Sequence, residues 1–186
     1  MELKLIGVVA TLACAAFLGT ANLPTSDQPK AAQPLHYLVA WSGIETKAPA
    51  KVERITTREA WESLWTQHTG TAVQADAWPR PSIPEVDFAR CMVISIVPGE
   101  EINAYSVQLV EVQDRKADTL VRYDVLRYQV SSPLNADKPA PVQRNRPYGF
   151  FVIERTLNPL VLENNVQTII GQPPIWREAH RLDAVE

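Results

Sequence analysis

The side chains best suited to chemistry in this sequence are Cys91, His68 and Asp87. A thiol, an imidazole and a carboxylate can act together as nucleophile, base and orienting group. Cys91, however, begins an apolar run typical of a strand, where cysteine usually behaves as a small hydrophobic residue. Asp87 precedes that run, where a carboxylate typically caps a turn. We therefore expect a buried, inert Cys91 and predict that the chain is not an enzyme.

The sequence contains no motif that predicts a metal or cofactor site. The histidines His36, His68 and His180 are far apart in the sequence, and neither an HExxH motif nor a cysteine pair accompanies them. A GxSxG nucleophile motif and a glycine-rich phosphate loop are also missing from the sequence. The sequence predicts no metal and no cofactor.

Length and charge narrow the class of protein. The chain has 186 residues, 46% of them hydrophobic, which suits one domain with one core. Its 18 basic and 21 acidic residues give a formal net charge of -3. Such a balance offers no basic surface to neutralise phosphates, so nucleic acid is not an expected partner.

The first 21 residues have the layout of a secretory signal peptide. Lys4 precedes an uncharged, mainly apolar stretch over residues 5–18, and small residues follow, which predicts cleavage after Ala21. Two alternatives stay open, a lipoprotein with its lipid at Cys14 and an uncleaved anchor. We expect an exported protein of the periplasm or cell envelope, which contacts membrane only through its signal peptide or a lipid.

The remaining chain divides into a linker and one globular domain. Residues 22–34 are polar and proline-rich, which predicts a linker, and residues 35–186 form the predicted domain. Residues 91–97 and 148–153 are apolar at both alternating phases, as is typical of central strands covered on both faces. Residues 105–130 predict a long hairpin, and each of its phase changes indicates a bulge or a coiled strand whose two halves face different neighbours.

Shorter strands are predicted at both ends of the domain. Residues 35–42 and 51–55 are expected to pair with each other. Residues 160–170 are expected to form a final tight hairpin. Trp176 and His180 lie four residues apart, a spacing that suggests one helical turn in the tail.

One helix is predicted before the first central strand. Thr56 and Glu59 have capping-box spacing, and Gly70 ends the segment. Trp61, Leu64, Trp65 and His68 follow at i, i+3, i+4 and i+7, which predicts an apolar stripe with a partly buried, hydrogen-bonded histidine at its end. The predicted fold class is α+β, a mainly antiparallel sheet, curled or sandwich-like, with this amphipathic helix packed on it.

Several short motifs lie in the same order as in a known family. They are Trp61 with Leu64, the Val86-Asp87-Phe88 step into Met92-Val93-Ile94, Gly99, Tyr105-Ser106-Val107, and Pro147-Tyr148 leading into Phe151-Val152-Ile153. Over about residues 56–155 the chain resembles the PrcB-type protease complex subunit family. The resemblance implies an exported bacterial accessory protein that supports a protease without being one. The family pattern has paired glycines where this chain has Asn103-Ala104.

The predicted partner-binding site is the loop of residues 131–147. Its four prolines limit the entropy lost on docking, and Arg144 and Arg146 are planar donors suited to carboxylates. Tyr148 follows directly, and interfaces favour arginine and aromatic anchors. Trp78, in a second proline-rich loop, is a further candidate. A solvated connector without a partner is the alternative for this loop.

The sequence therefore predicts a non-catalytic exported accessory protein that binds and stabilises a partner protein, with a protease as the candidate partner. The alternative is a solute- or polysaccharide-binding module of the cell envelope, which would use Trp78 and loop tyrosines.

Overall fold

The computed structural model describes residues 37–70, 83–128, 142–167, 169 and 171–185. These residues belong to one compact unit, Ala32–Glu186. The predicted signal peptide with Cys14, the linker, His36 and Trp78 lie outside the described residues. Along the chain the elements are β1 (Val39–Gly43), β2 (Lys51–Ile55), α1 (Arg58–Thr69), β3 (Cys91–Val97), β4 (Glu101–Ile102), β5 (Ala104–Asp114), β6 (Thr119–Arg127), β7 (Arg144–Asn145), β8 (Tyr148–Glu154), β9 (Leu160–Asn165) and β10 (Trp176–Leu182).

The strands form two four-stranded sheets and a short ribbon. The first sheet has the order β1-β8-β3-β2, and all its pairs are antiparallel. The second sheet has the order β10-β9-β6-β5, in which only the β6–β9 pair is parallel. β4 and β7 form an antiparallel two-stranded ribbon. The predicted α+β class, a mostly antiparallel sheet structure with a helix, is confirmed.

The main core lies between the two sheets. Because side chains alternate across a strand, Met92, Ile94 and Ile96 of β3 all point into this layer. They pack with the inward side chains of β5, β6, β8 and β9, which are Ala104, Val107, Leu109, Val112, Val121, Tyr123, Val125, Phe151, Ile153, Leu160 and Leu162. The sheets therefore form a sandwich around one apolar layer.

A second core lies between the first sheet and α1. Val93 and Val97 of β3 and Phe150 and Val152 of β8 point away from the sandwich and pack with Ala48, Ile55, Trp61 and Leu64. β3 and β8 are thus buried on both faces and lie inside their sheet, β3 between β8 and β2 and β8 between β1 and β3. Both predictions of central strands are confirmed, and so is the burial of Trp61 and Leu64.

The N-cap of the helix lies one residue later than predicted. Thr57 is the N-cap, and its Oγ1 accepts a hydrogen bond from the backbone N of Ala60 at 3.3 Å. The predicted capping box of Thr56 and Glu59 is therefore wrong. Gly70 ends the helix with φ of 78°, as predicted. In the described part of the chain, no helix is long and apolar enough to cross a membrane.

The long hairpin of β5 and β6 contains the predicted irregularities. The pairing register shifts between Leu109 and Glu111, so Val110 is an extra residue that points outward. This bulge lets Leu109 and Val112, three positions apart, both enter the core. A second shift lies between Ala104 and Ser106. The phase change at Val110 therefore marks a bulge, whereas the second shift has its extra residue, Tyr105, in β5 and none in β6.

Two predicted pairings are wrong. β1 and β2 do not pair with each other, because β8 and β3 lie between them. The predicted hairpin over residues 160–170 is instead the strand β9, which continues to Asn165 and pairs with β10. β10 contains Trp176 and His180, so the predicted helical turn is a strand.

Candidate partner-binding surface

The thiol, imidazole and carboxylate singled out in the sequence do not meet. His68 packs on Tyr148 at the start of β8, with ring centroids 4.2 Å apart, whereas Cys91 pairs with Glu154 at the other end of that strand. Six residues of extended strand span about 20 Å. Asp87 caps its turn as predicted, since its Oδ1 accepts a hydrogen bond from the N of Ala89 at 3.1 Å. These residues cannot act as one catalytic triad.

Cys91 is less buried than expected. It is half-buried at the start of β3, where it lies at the margin of the α1 core layer, so the predicted full burial is wrong. It lines an open cleft of about 540 Å³ together with Leu38, Asp87, Arg90, Glu154 and Arg155. Among the described residues, no group of three or more histidine, cysteine, aspartate or glutamate side chains is placed to hold a metal ion.

His68 belongs to an aromatic cluster that holds the helix on the sheet. Its Nδ1 lies 2.8 Å from Thr46 Oγ1, and its ring packs on Trp65, Tyr148 and Phe150. Burial lowers the pKa of His68 and raises the pKa of Tyr148. The histidine is partly buried and hydrogen-bonded, as predicted, and ties α1 to the segment before β2.

Trp61 is the centre of the same cluster. Its ring lies 5.5 Å from Trp41, 5.2 Å from Trp65 and 5.7 Å from Phe150, measured between centroids. Its Nε1 donates a hydrogen bond to the carbonyl of Pro84 at 2.8 Å. A buried indole with its polar atom satisfied is a core anchor rather than a ligand platform.

The residues predicted to bind a partner separate into two groups. Arg144 is exposed in β7 and forms an ion pair with Glu100 at 2.6 Å. Arg146 instead donates through Nη2 to the carbonyl of Ala48 at 2.9 Å, and Tyr148 packs against His68. Arg146 and Tyr148 therefore support the segment before β2. Trp78 lies outside the described residues.

The predicted partner loop also ends earlier than expected. Arg144 and Asn145 form β7, and the side chain of Asn145 is buried. Asn145 Nδ2 donates to the carbonyl of Ala104 at 2.5 Å, which fixes β7 to the start of β5. The end of the predicted loop is thus a strand that is packed into the fold.

A largely exposed surface lies beside this ribbon, and we define it as the corner surface, made of Ile102, Tyr105, the partly buried Tyr128, Val142 and Arg144. Ile102 is 48% exposed, Tyr105 43% and Val142 60%. The rings of Tyr105 and Tyr128 stack, with centroids 6.4 Å apart and planes at 26°. Ile102 pairs with Arg144 across the β4–β7 ribbon. These residues lie beside the β4–β7 ribbon, at the end of the sandwich where β5 begins.

Backbone hydrogen bonds around Asn103 hold the corner surface in place. The N of Asn103 donates to the carbonyl of Gln143 at 2.8 Å, and the N of Gln143 donates to Asn103 Oδ1 at 3.1 Å. The N of Tyr128 donates to the carbonyl of Asn103 at 2.9 Å. The hydroxyl of Tyr128 also hydrogen-bonds to Gln143 Oε1. Both tyrosines therefore stand on a turn with fixed geometry.

Asn103 occupies the position where the resembled family has a glycine. Its φ of 53° lies in the left-handed region, which glycine adopts freely and asparagine more readily than most other residues. Ala104, at the second glycine position, is fully buried. The turn at Asn103 is thus left-handed and is followed by a small buried residue.

Tyr105 and Tyr128 were not among the residues predicted to bind a partner. Tyr105 is the extra residue of the bulge between Ala104 and Ser106, and it is exposed. Asn103, two residues before Tyr105, was the available signal, because asparagine marks positions of left-handed backbone.

No family model, curated protein or solved structure matches the chain.

Proposed function

We propose that this protein is a non-catalytic, exported accessory protein that binds and stabilises a partner protein through the corner surface. The observation that carries the proposal is the stacked pair of Tyr105, which is exposed, and Tyr128, which is partly buried, on a hydrogen-bonded turn. Tyrosine is enriched in protein interfaces, since its ring contributes contact area and its hydroxyl still finds a hydrogen bond.

The rigidity of this surface favours binding. Association costs the entropy of every side chain that becomes ordered, and this cost is smaller where the side chains are already fixed. Asn103 and Gln143 fix the backbone beneath both tyrosines. A partner would therefore gain apolar contact with little loss of conformational freedom.

The rim of the surface is polar and internally neutralised. Arg127 pairs with Glu101 at 2.8 Å and Arg144 pairs with Glu100 at 2.6 Å. An apolar centre inside a ring of ion pairs is the usual arrangement of a protein interface. The rim carries no excess of either charge, which favours a protein partner over a polyanion.

A protease is the candidate partner because of the family resemblance over about residues 56–155. The left-handed turn at Asn103 supports this choice, since it preserves the backbone form for which the family uses glycine. The separation of Cys91 from His68 supports a role that involves no catalysis by these residues.

Site-directed photo-crosslinking in intact cells tests the proposal. A photo-reactive residue at position 105 should yield an adduct with one envelope protein, identifiable by mass spectrometry. The matched control is position 157, where Leu157 is also exposed. It lies near Asp114, at the far end of β5, roughly 30 Å from Tyr105. No adduct is expected there.

The stabilising role is tested by the partner's lifetime. In cells that carry Tyr105→Ser, the crosslinked protein should be degraded as fast as in cells that lack this chain, because the aromatic contact is lost. Leu157→Ser should leave the partner's half-life unchanged. Equal adducts at both positions, or an unchanged half-life with Tyr105→Ser, would contradict the proposal.

One observation favours the alternative, a solute- or polysaccharide-binding module. A cleft of about 320 Å³ opens at the second sheet and is lined by polar side chains, among them Asp124, Asn165 and Gln167. Such a volume suits a small ligand. If this alternative holds, Asp124→Ala removes binding of an envelope saccharide, and Tyr105→Ser has no effect on it.

A further inference from the structure

The two sheets have four edge strands, and three of them carry features that prevent pairing with another chain. An open edge presents unpaired backbone N–H and C=O groups, and natural proteins protect it with charges, bulges or inward-pointing charged side chains. The edge strands are β1 and β2 in the first sheet and β5 and β10 in the second.

β2 is protected by charge. Lys51, Glu53 and Arg54 occupy three of its five positions. Arg54 stands opposite Ile94, on the side of the sheet that faces the sandwich, and its Nη2 donates to the carbonyl of Asn158 at 2.6 Å. An inward-pointing arginine on an edge strand disfavours a further strand beside it.

The edges of the second sheet are protected by both charge and bulges. β10 carries Arg177, Glu178 and Arg181, and its register shifts between Glu178 and His180. β5 has two such shifts, and the extra residue of one of them is Val110. Each bulge interrupts the regular spacing of backbone groups on which a new strand would need to pair.

β1 has none of these protections. Residues 37–44, which contain it, carry no charged side chain. Its register runs without a shift from Val39 opposite Val152 to Gly43 opposite Tyr148. Tyr37, Leu38 and Val39 are exposed. In the described parts of the chain, β8 is its only pairing partner in the sheet.

We infer that β1 is a dimer interface, where two copies of this chain pair edge to edge. A two-fold axis perpendicular to the first sheet makes the two β1 strands antiparallel and joins the sheets into one of eight strands. Both copies of α1 then lie on the same side of that sheet. The inference does not depend on the proposed accessory function.

A second copy suits this edge because the strand is neutral. A two-fold axis brings the two copies of the edge strand side by side, so a net charge on the strand would be repelled by the same net charge on its copy. Residues 37–44 carry no charge, whereas β2, with Lys51, Glu53 and Arg54, and β10, with Arg177, Glu178 and Arg181, each carry an excess of positive charge. The exposed Tyr37, Leu38 and Val39 would gain apolar contacts across the axis.

A pair of matched valines tests the inference. Val39 in β1 is 45% exposed and Val110 in the bulge of β5 is 49% exposed, so lysine at either site costs the fold little. Sedimentation equilibrium on the purified protein should give twice the mass of one chain for wild type and for Val110→Lys. Val39→Lys should raise the dimer dissociation constant at least about tenfold, because it places a positive charge on each of the two paired strands.

Two results would overturn the inference. One is a wild-type protein that stays monomeric at every concentration, and the other is Val39→Lys that dimerises as well as Val110→Lys. Should Val39→Lys fail to fold, hydrogen exchange of wild type decides the matter. Amides of residues 38–43 should become protected as the concentration rises. Protection that does not change there with concentration would exclude β1 as the interface.

Discussion

The first sheet is covered on both faces, by α1 on one side and by the second sheet on the other, whereas the second sheet has an outer face with a charged network. β3 of the first sheet is buried at every position except Cys91. On the outer face of the second sheet Arg122 lies 2.9 Å from both Glu111 and Glu163 and stands over the ring of Trp176. The difference shows that the stability of this fold is concentrated around β3 and β8.

The contrast between the two sheets predicts very different costs for removing a tryptophan. Trp61 is 1% exposed beneath the helix, so Trp61→Ala should lower the free energy of unfolding by about 3 to 5 kcal/mol. Trp176→Ala on the outer face should cost about 1 kcal/mol or less, since it loses mainly a contact with Arg122. Urea unfolding of both variants measures the two values. Equal losses of unfolding free energy in the two variants would contradict the predicted difference between the two sheets.

A glycine in β8 lets the two sheets approach each other closely. A Cβ on Gly149 would lie 2.5 Å from ring carbons of Phe151 and 3.0 Å from Val107 Cβ. Gly149→Ala should therefore destabilise the protein by about 1 to 3 kcal/mol through overpacking. In a Phe151→Leu background the same change should cost less, because the ring is gone. An identical cost in both backgrounds would contradict the packing explanation.

The helix side of the first sheet should also be sensitive to pH. Burial lowers the pKa of His68, so the unfolded chain binds its proton more readily than the folded chain. The stabilisation is fully present above the unfolded pKa of about 6.5 and is lost as the pH falls through the lower folded pKa. The melting temperature should fall between pH 8 and 5, and His68→Gln should flatten this decline. The matched control is His180→Gln, on the exposed strand β10, and an equal flattening by it would contradict the assignment.

The central strands were predictable because burial on both faces leaves a strong pattern. Only Ser95 interrupts the apolar run of β3, and residues 150–153 of β8 are wholly apolar. The helix was predictable for a related reason, since Trp61 and Leu64 share one face and are both buried. In each case the spacing of apolar residues in the sequence indicates which faces of the element are buried.

The edges and the site were harder to predict, for physical reasons. β10 is mostly exposed, so no burial pattern marks it, and its bulge breaks the alternation. The pairing of β1 with β8 joins residues more than a hundred positions apart, which no local signal encodes. Tyr105 faces outward through a bulge that depends on the turn at Asn103. Of the predicted partner residues that the structure describes, Arg144 alone lies on the corner surface.

The insertion of β8 between β1 and β3 has a consequence for synthesis of the chain. Val39 and Val93 both stand opposite Val152, so the first sheet lacks its central connection until the ribosome has passed that residue. Before then β1 has no partner in its sheet, and β3 can pair only with β2. Most of the chain must therefore be made before either core can close, which keeps the nascent polypeptide open for whatever machinery handles it.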